Sequence, residues 1–434
     1  MTDFYRYKNI EFSKPDAIKE AQEKLLKNHL DYILRNSPYY RRVLNGFDTA
    51  NVTLENLSAL PFTDKYAFEE YNNELLAVPM SEIVDIVLSS GTTGKPTKIM
   101  YTENDLTRLA YNEEISFAGC GLTSEDIVLL TCTMDRCFIA GLAYFLGIKR
   151  LGAAAIRNGL SSFASHLEII QRMKPTAIVG VPSFLRKLGL FLKSKNINPQ
   201  KTNVARLVCI GEPIRDKNLS LLKMGEQLEE IWGARVFSTY ASSETITTFC
   251  ECTAQKGGHL HPELAIAEIV NDKGEVLPPK EIGEVVVTAL SVEGMPLLRF
   301  KTGDISFLID TPCGCGRFSP RLGPILGRKK QMIKYRGTTL YPHAIYAVLD
   351  DIPEVSEYYV TVTSSFDLSD SVKVYVSVNN NNNSYSAGKI MNKLQAHLRV
   401  MPEVVITNEE NIRKKIYSEN SRKIIRFFDM RGDK

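Results

Sequence analysis

The chain has 434 residues, 44% hydrophobic and 24% charged, an ordinary globular composition with room for more than one domain. Lys plus Arg at 53 against Asp plus Glu at 50 leaves a formal net charge of +3, too even for the basic footprint that nucleic-acid binding needs. No apolar run approaches the roughly 20 residues of a membrane helix, the first residues carry no secretory apolar core, and eight cysteines are too sparse for a disulfide scaffold. The expectation is a cytoplasmic enzyme with no nucleic-acid or membrane partner.

In chain order, apolar residues at helical spacing predict a helix over 17–34. The middle then alternates short apolar runs, read as buried strands over 83–88, 127–130, 177–181 and 207–210, with helices over 104–118, 163–173 and 184–192. That alternation predicts parallel strands covered on both faces. Residues 265–308 change character: strands over 284–289 and 297–300 suggest an antiparallel patch. Beyond Gly327 a compact pattern follows, with strands over 331–335, 356–363, 371–378, 403–407 and 424–428 and helices over 342–350 and 385–399. The five-asparagine run Asn379–Asn383 is a solvated connection. The fold class is α/β: a large N-terminal domain with packed sheets and a β-rich subdomain, then a small α+β C-terminal domain.

The chemically richest stretch is Ser89-Ser90-Gly91-Thr92-Thr93-Gly94-Lys95-Pro96-Thr97. Two glycines allow close backbone approach, while hydroxyls and an ammonium offer donors to phosphate oxygens. It is not a Walker A loop, because two residues rather than four precede the Gly-Lys pair and Pro96 follows it. The bland alternative is a polar, Gly-rich turn after a strand.

This loop closely resembles the phosphate-binding signature of the AMP-forming acyl/aryl-CoA synthetase superfamily, and the chain is most similar to its phenylacetate–CoA ligase-like branch. Other segments agree in order: Gly211-Glu212-Pro213, Tyr240-Ala241-Ser242-Ser243-Glu244-Thr245, Lys301-Thr302-Gly303-Asp304, Gly327-Arg328, Arg336-Gly337 and Tyr341-Pro342. The resemblance runs from about residue 36 to the C-terminus. It implies ATP-dependent joining of a carboxylic acid to AMP, then thioester formation with CoA. It also implies an N-terminal adenylation domain over 1–328 and a mobile C-terminal lid over 329–434, hinged at Lys329 and Lys330.

Roles follow from the same resemblance. Ser89 to Lys95 would hold the phosphates, with Thr93 catalytic, and Glu244 would ligate Mg²⁺ beside Thr245, Ser242 and Ser243. Tyr240 would lie against adenine opposite Gly211, Glu212 and Pro213, and Asp304 and Arg328 would hold the ribose. Arg336 and Gly337 would serve CoA. Lys423, in Ser421-Arg422-Lys423-Ile424, falls on the superfamily's catalytic lysine, where an ammonium can bridge carboxylate and α-phosphate. Its bland reading is a basic tail beside Lys414, Lys415, Arg422 and Arg426.

Cys252, His259, Cys313 and Cys315 form two near pairs of the residue types that bind structural Zn²⁺, with Cys250 and His261 as the nearest substitutes. Buried, unligated thiols are the alternative, and the one expected for Cys120, Cys132, Cys137 and Cys209. For the acid, family position points to strand and loop segments carrying Arg136, Phe138, Gly141, Phe184 and Ala241, whose apolar, partly aromatic walls suit a compact aryl acid. Each could equally be core.

The chain departs from the branch at Ala241, Lys330, Gln331, Thr339 and Arg422, mostly near the expected hinge and second half-reaction. Adenylation is therefore better supported than CoA transfer. A carrier-protein phosphopantetheine thiol as acceptor, or transfer of AMP itself, stays open, as does a non-catalytic nucleotide or acyl binder on the same fold. A homodimer would be unsurprising.

Overall fold

The computed structural model describes residues 3–89, 97–335, 338–364, 370–378, 387–398, 400–417 and 424–431. The chain divides into two compact units, residues 1–221 with 225–325, and residues 222–224 with 326–434. The first opens with helix Pro15–Asn36, started by proline in its first turn and burying Ile18, Leu25, Leu26, Leu30 and Ile33 on one side.

Strands β1 (Ile83–Leu88) and β2 (Lys98–Thr102) form a separate antiparallel hairpin across the phosphate-loop segment. This corrects the reading of 83–88 as a buried strand: Val84 and Ile86 are exposed, because the two-stranded hairpin leaves one face of β1 uncovered. The parallel core is β3 (Ile127–Leu130), β4 (Ala154–Arg157), β5 (Ala177–Gly180), β6 (Arg206–Ile210) and β7 (Arg235–Ser242). Antiparallel β8 (Thr247–Glu251) and β9 (Gly258–His259) extend it.

A three-strand antiparallel meander follows, β10 (Ala265–Val270), β11 (Gly283–Ala289) and β12 (Phe300–Ser306). Here the strand expected over 297–300 starts only at Phe300, because Arg299 takes a left-handed φ of 45° that breaks the extended run. Short β13 (Leu308–Ile309) and β14 (Arg321–Leu322) return to the large sheet, whose order is β13-β14-β9-β8-β7-β6-β5-β3-β4.

Helices fill the crossovers. Glu103–Gly119 begins with a reciprocal capping box between Thr102 and Asp105. Ile139–Leu151 lies where part of the acid site was read as strand and loop; its residues are apolar nearly all round, so no periodic polar face marked it. Pro182–Ser194 and Phe163–Met173 cover the sheet through Leu185, Leu188, Leu192 and Ile170.

In the second unit, strands Val355–Ser364 and Asp370–Val378 pair antiparallel, and Phe427–Asp429 and Glu403–Ile406 flank them in parallel. Val360, Val362, Val374 and Val376 meet Ile345, Leu349, Ile390 and Leu394 from helices Pro342–Asp350 and Ala387–Leu398 in one core. An unpredicted helix, Glu409–Ile416, buries Ile412 and Ile416.

Candidate active site and metal centre

Parallel strands leave their C-terminal ends and the loops beyond them on one edge, where α/β sheets bind ligands. Residues Thr131–Phe138 follow β3, Val181 follows β5, Gly211-Glu212-Pro213 follow β6, and Tyr240-Ala241-Ser242 end β7. The sequence motifs thus share an edge because they end neighbouring strands.

The neck of the phosphate loop is closed by two bonds. The Ser89 amide donates to the Thr97 carbonyl at 2.9 Å, and the Thr97 amide donates to Ser89 Oγ at 2.9 Å. Ser90, Gly91, Thr92, Thr93, Gly94 and Lys95 lie outside the described residues, as do Arg336, Gly337 and Lys423. The Leu88 amide donates to the Cys137 carbonyl at 2.9 Å, tying this neck to the loop after β3. There Arg136 and Cys137 both hold left-handed φ, 59° and 52°. Cys137 is exposed, which corrects its assignment to the core; the turn carries it out of the apolar layer holding Cys120 and Cys132.

The β7–β8 turn carries the acidic group. Ser242 Oγ donates to Glu244 Oε2 at 2.9 Å, and Thr247 Oγ1 donates to the Thr245 carbonyl at 2.8 Å. The Thr245 hydroxyl is buried with no partner among the described residues, an arrangement suited to a ligand oxygen. Ser243 is half-buried, its carbonyl accepting from the Tyr101 hydroxyl at 2.9 Å. The Tyr240 hydroxyl donates to Asp304 Oδ2 at 2.8 Å, and its ring stacks on Phe249 at 5.9 Å between centroids. Burial, then the Asp304 charge, pushes the Tyr240 pKa well above the ordinary phenol value, so it stays a donor. Gly303 supplies the positive φ of 75° that turns β12 just before Asp304.

Glu212 does something the motif did not announce. Its carboxylate accepts from the Ser183 amide at 2.9 Å and the Ser183 hydroxyl at 2.8 Å, at the N-terminus of helix Pro182–Ser194. The Gly211–Pro213 loop is thereby locked to that helix, leaving exposed Gly211, at φ 75°, as its open surface. Among the acid-site residues, Arg136 and Ala241 are exposed, Phe138 caps helix Ile139–Leu151, and Gly141 is buried under the Thr133 carbonyl. Phe184 packs edge-on to His166 and tilted against Phe163, 5.3 Å between centroids in each case. Arg328 belongs to the second unit, where its charge helps burial depress the His343 pKa to about 4.

Cys252, His259, Cys313 and Cys315 gather their donor atoms within 4.8 Å of one another. The Cys252 and Cys313 sulfurs are 3.6 Å apart, and His259 Nε2 is 3.4 Å from the Cys315 sulfur. A tetrahedral zinc at ~2.3 Å from sulfur and ~2.0 Å from nitrogen needs edges of roughly 3.8 and 3.5 Å, so the four residues fit such an ion with little adjustment. Burial depresses the His259 pKa to about 3, keeping the imidazole in its neutral, ligating form. Burial opposes the Cys315 thiolate, yet hydrogen bonds from Arg317, Cys252 and Cys313 bring its pKa below the usual thiol value. The two substitutes are engaged elsewhere, Cys250 with Cys120 at 3.3 Å and His261 with Glu11 at 3.3 Å. Sequence reading missed Arg317, which reaches Cys315 Sγ at 3.5 Å and donates to Glu11 at 2.7 Å, because the latter contact spans 306 positions.

Residues 35–293 match the AMP-binding enzyme family, and residues 337–431 match the AMP-binding enzyme C-terminal domain. The chain is 34% identical to a phenylacetate-coenzyme A ligase of Thermus thermophilus, covering 80% of this chain and 78% of that one. It is 27% identical to the enzyme of the same name from Escherichia coli, over 98% of this chain and 97% of that one. In fold it matches a 2-hydroxyisobutyryl-CoA ligase solved in the postadenylation state in complex with R3-HIB-AMP, with a TM-score of 0.83, 22% identity, and coverage of 95% of this chain and 89% of that one. No helix among the described residues is long and apolar enough to cross a membrane. The chain belongs to the AMP-binding enzyme family, on its phenylacetate–CoA ligase-like branch.

Proposed function

We propose that this chain converts a compact, aryl or similar carboxylic acid to its acyl-AMP with release of pyrophosphate, then passes the acyl group to the thiol of CoA with release of AMP. The observation that carries the first step is the Tyr240–Asp304 bond, with Glu244 in the turn just beyond Tyr240, and the closed neck of the phosphate loop tied to the turn after β3. A flat ring suits adenine, the Asp304 carboxylate the ribose hydroxyls, the Glu244 carboxylate Mg²⁺, and a loop rich in glycine and hydroxyls the phosphates. We assign Mg²⁺ to Glu244, ATP and acid binding to residues 1–328, and the lid bearing Lys423 to residues 329–434. Zn²⁺ on Cys252, His259, Cys313 and Cys315 staples the turn between β13 and β14 to the β8–β9 segment and takes no part in the chemistry.

The test is mass spectrometry of products from protein, ATP, Mg²⁺, CoA and a pool of aryl and short-chain acids. An acyl-CoA product is expected and names the acid. Acyl-AMP without acyl-CoA would move the acceptor to a carrier-protein thiol. Lys423→Ala is expected to bind ATP normally yet lose adenylation by about two orders of magnitude or more. Unchanged pyrophosphate release in that variant would remove Lys423 from the active site.

A further inference from the structure

The segment leaving the phosphate loop holds two fully buried polar side chains that the proposed chemistry does not use. Tyr101 ends in β2, and its hydroxyl donates to the Ser243 carbonyl at 2.9 Å. Arg108 lies in helix Glu103–Gly119, 0% exposed, and spreads its guanidinium over three backbone carbonyls. Nε donates to Leu290 at 2.8 Å, Nη2 to Leu264 at 2.5 Å, and Nη1 to Ile246. Nη2 also lies 3.5 Å from the Thr247 hydroxyl, and among the described residues no carboxylate forms an ion pair with the guanidinium, so this buried cation is satisfied chiefly by main-chain carbonyls. Such a charge is expensive to bury and is poorly explained as a packing device.

The two anchored carbonyls bracket one residue of interest. Ser243 immediately precedes Glu244, and Ile246 follows it by two positions. Ile246 is β-branched yet takes φ 50°, a left-handed conformation that persists only where the surroundings impose it. A third tie fixes the same helix: Asp105 accepts from the Glu293 amide at 2.8 Å and the Gly294 amide at 2.9 Å. The helix is thus a rigid strut, with the phosphate-loop exit at one end and the Glu244 turn bonded to its flank.

We propose that Tyr101 and Arg108 are positioning residues that clamp the backbone on either side of Glu244 and so hold its carboxylate in register with the neck of the phosphate loop. This rests on the assignment of Glu244 to the metal and phosphates made above. A strut of this kind fixes the distance between the neck of the phosphate loop and the Glu244 turn before ATP arrives, which is how preorganised electrostatic sites avoid reorganisation during the reaction. Arg is required rather than Lys, because a planar fork can serve three separated carbonyls and an ammonium cannot.

Tyr101→Phe removes one oxygen and keeps the ring, so it is the variant that should fold. Expected is a kcat for pyrophosphate release about fivefold lower, the loss of one buried hydrogen bond, with the KM for the acid unchanged and more Mg²⁺ needed for half-maximal rate. Arg108→Lys should fall further, by about fiftyfold, in the same parameters. Single-turnover acyl-AMP formation in a Glu244→Gln background supplies the decisive comparison, since adding Tyr101→Phe there should change nothing more. Wild-type kcat and Mg²⁺ dependence in folded Tyr101→Phe would overturn the clamp, as would an equal loss with and without Glu244. A Glu244→Gln protein that turns over like wild type would instead overturn the assignment of Glu244, and the clamp's function with it.

Discussion

Removing the metal ligand Cys313 tests the zinc reading through stability rather than turnover. Bound metal would join Cys252 to Cys313 across 61 positions, a loop that the unfolded chain must otherwise close at entropic cost. Cross-linking a loop of that length is worth about 4 kcal/mol by chain entropy. The unit that contains it has about 320 residues, so its unfolding entropy near 60 °C is roughly 0.7 kcal/mol/K, and losing the cross-link should lower its Tm by about 6 °C. Cys313→Ser, and wild type after exhaustive chelation, should therefore melt about 6 °C low at a common scan rate, with metal analysis showing one zinc per native chain and none in the variant. The loop keeps its Arg317–Glu11 and Arg321–Thr311 bonds, so turnover below the transition should largely survive. A native protein with no stoichiometric zinc, or a variant melting with wild type, would return these cysteines to ordinary core.

Two further substitutions read the buried interior of the first unit and the loop after β3. Glu113 is fully buried and accepts from the Thr248 hydroxyl at 2.5 Å, and burial raises its pKa from 4.5 to about 7. The folded chain thus keeps this proton up to about pH 7 while the unfolded chain releases it near pH 4.5. Stability contributed by the neutral carboxyl declines as pH rises through that window and is flat above it, a total of about 3 kcal/mol. Glu113→Gln, which stays neutral, should melt like wild type at pH 4.5 and about 5 °C higher at pH 8; thermal scans showing a pH-independent difference would refute the assignment. Gly141→Ala puts a methyl 2.2 Å from the Thr133 carbonyl oxygen, a backbone atom that cannot step aside. The loop through Cys137 must shift and drag on the neck of the phosphate loop, so kcat/KM for the acid should fall at least about tenfold, the equivalent of a modest overpacking cost. Steady-state kinetics indistinguishable from wild type would separate that loop from the site.

Of the five parallel strands, β3, β5 and β6 were legible because they are short apolar runs between helices, whereas β4 and β7 were not read; the motifs Gly211–Pro213 and Tyr240–Ser242 fall where such strands end. What failed did so for local reasons. The run Ile83–Leu88 is apolar enough to look buried, yet apolarity says nothing about whether both of its faces are packed against another layer, and here one is left exposed. Helix Ile139–Leu151 was hidden because a segment apolar on all sides has no period to read. The strand beginning at Phe300 was placed too early because nothing in the residue type of Arg299 announces its left-handed backbone.

The strut beside Glu244 shows what a finer reading could have found. Asp105, Arg108, Asn112 and Ser116 recur at helical spacing and are all buried, so the inward face of helix Glu103–Gly119 is polar along its length. A predicted helix with charge on the stripe that must face a core is a conflict between local pattern and global burial, and such conflicts concentrate at functional sites. What the spacing could not say is which groups those side chains meet. Arg108 serves carbonyls 138, 156 and 182 positions away, partners that only the fold brings together. The residues that touch ATP in the proposed reaction are named by motif, whereas the residues that aim them are named by topology. A polar stripe on a central helix marks where to look for the second kind.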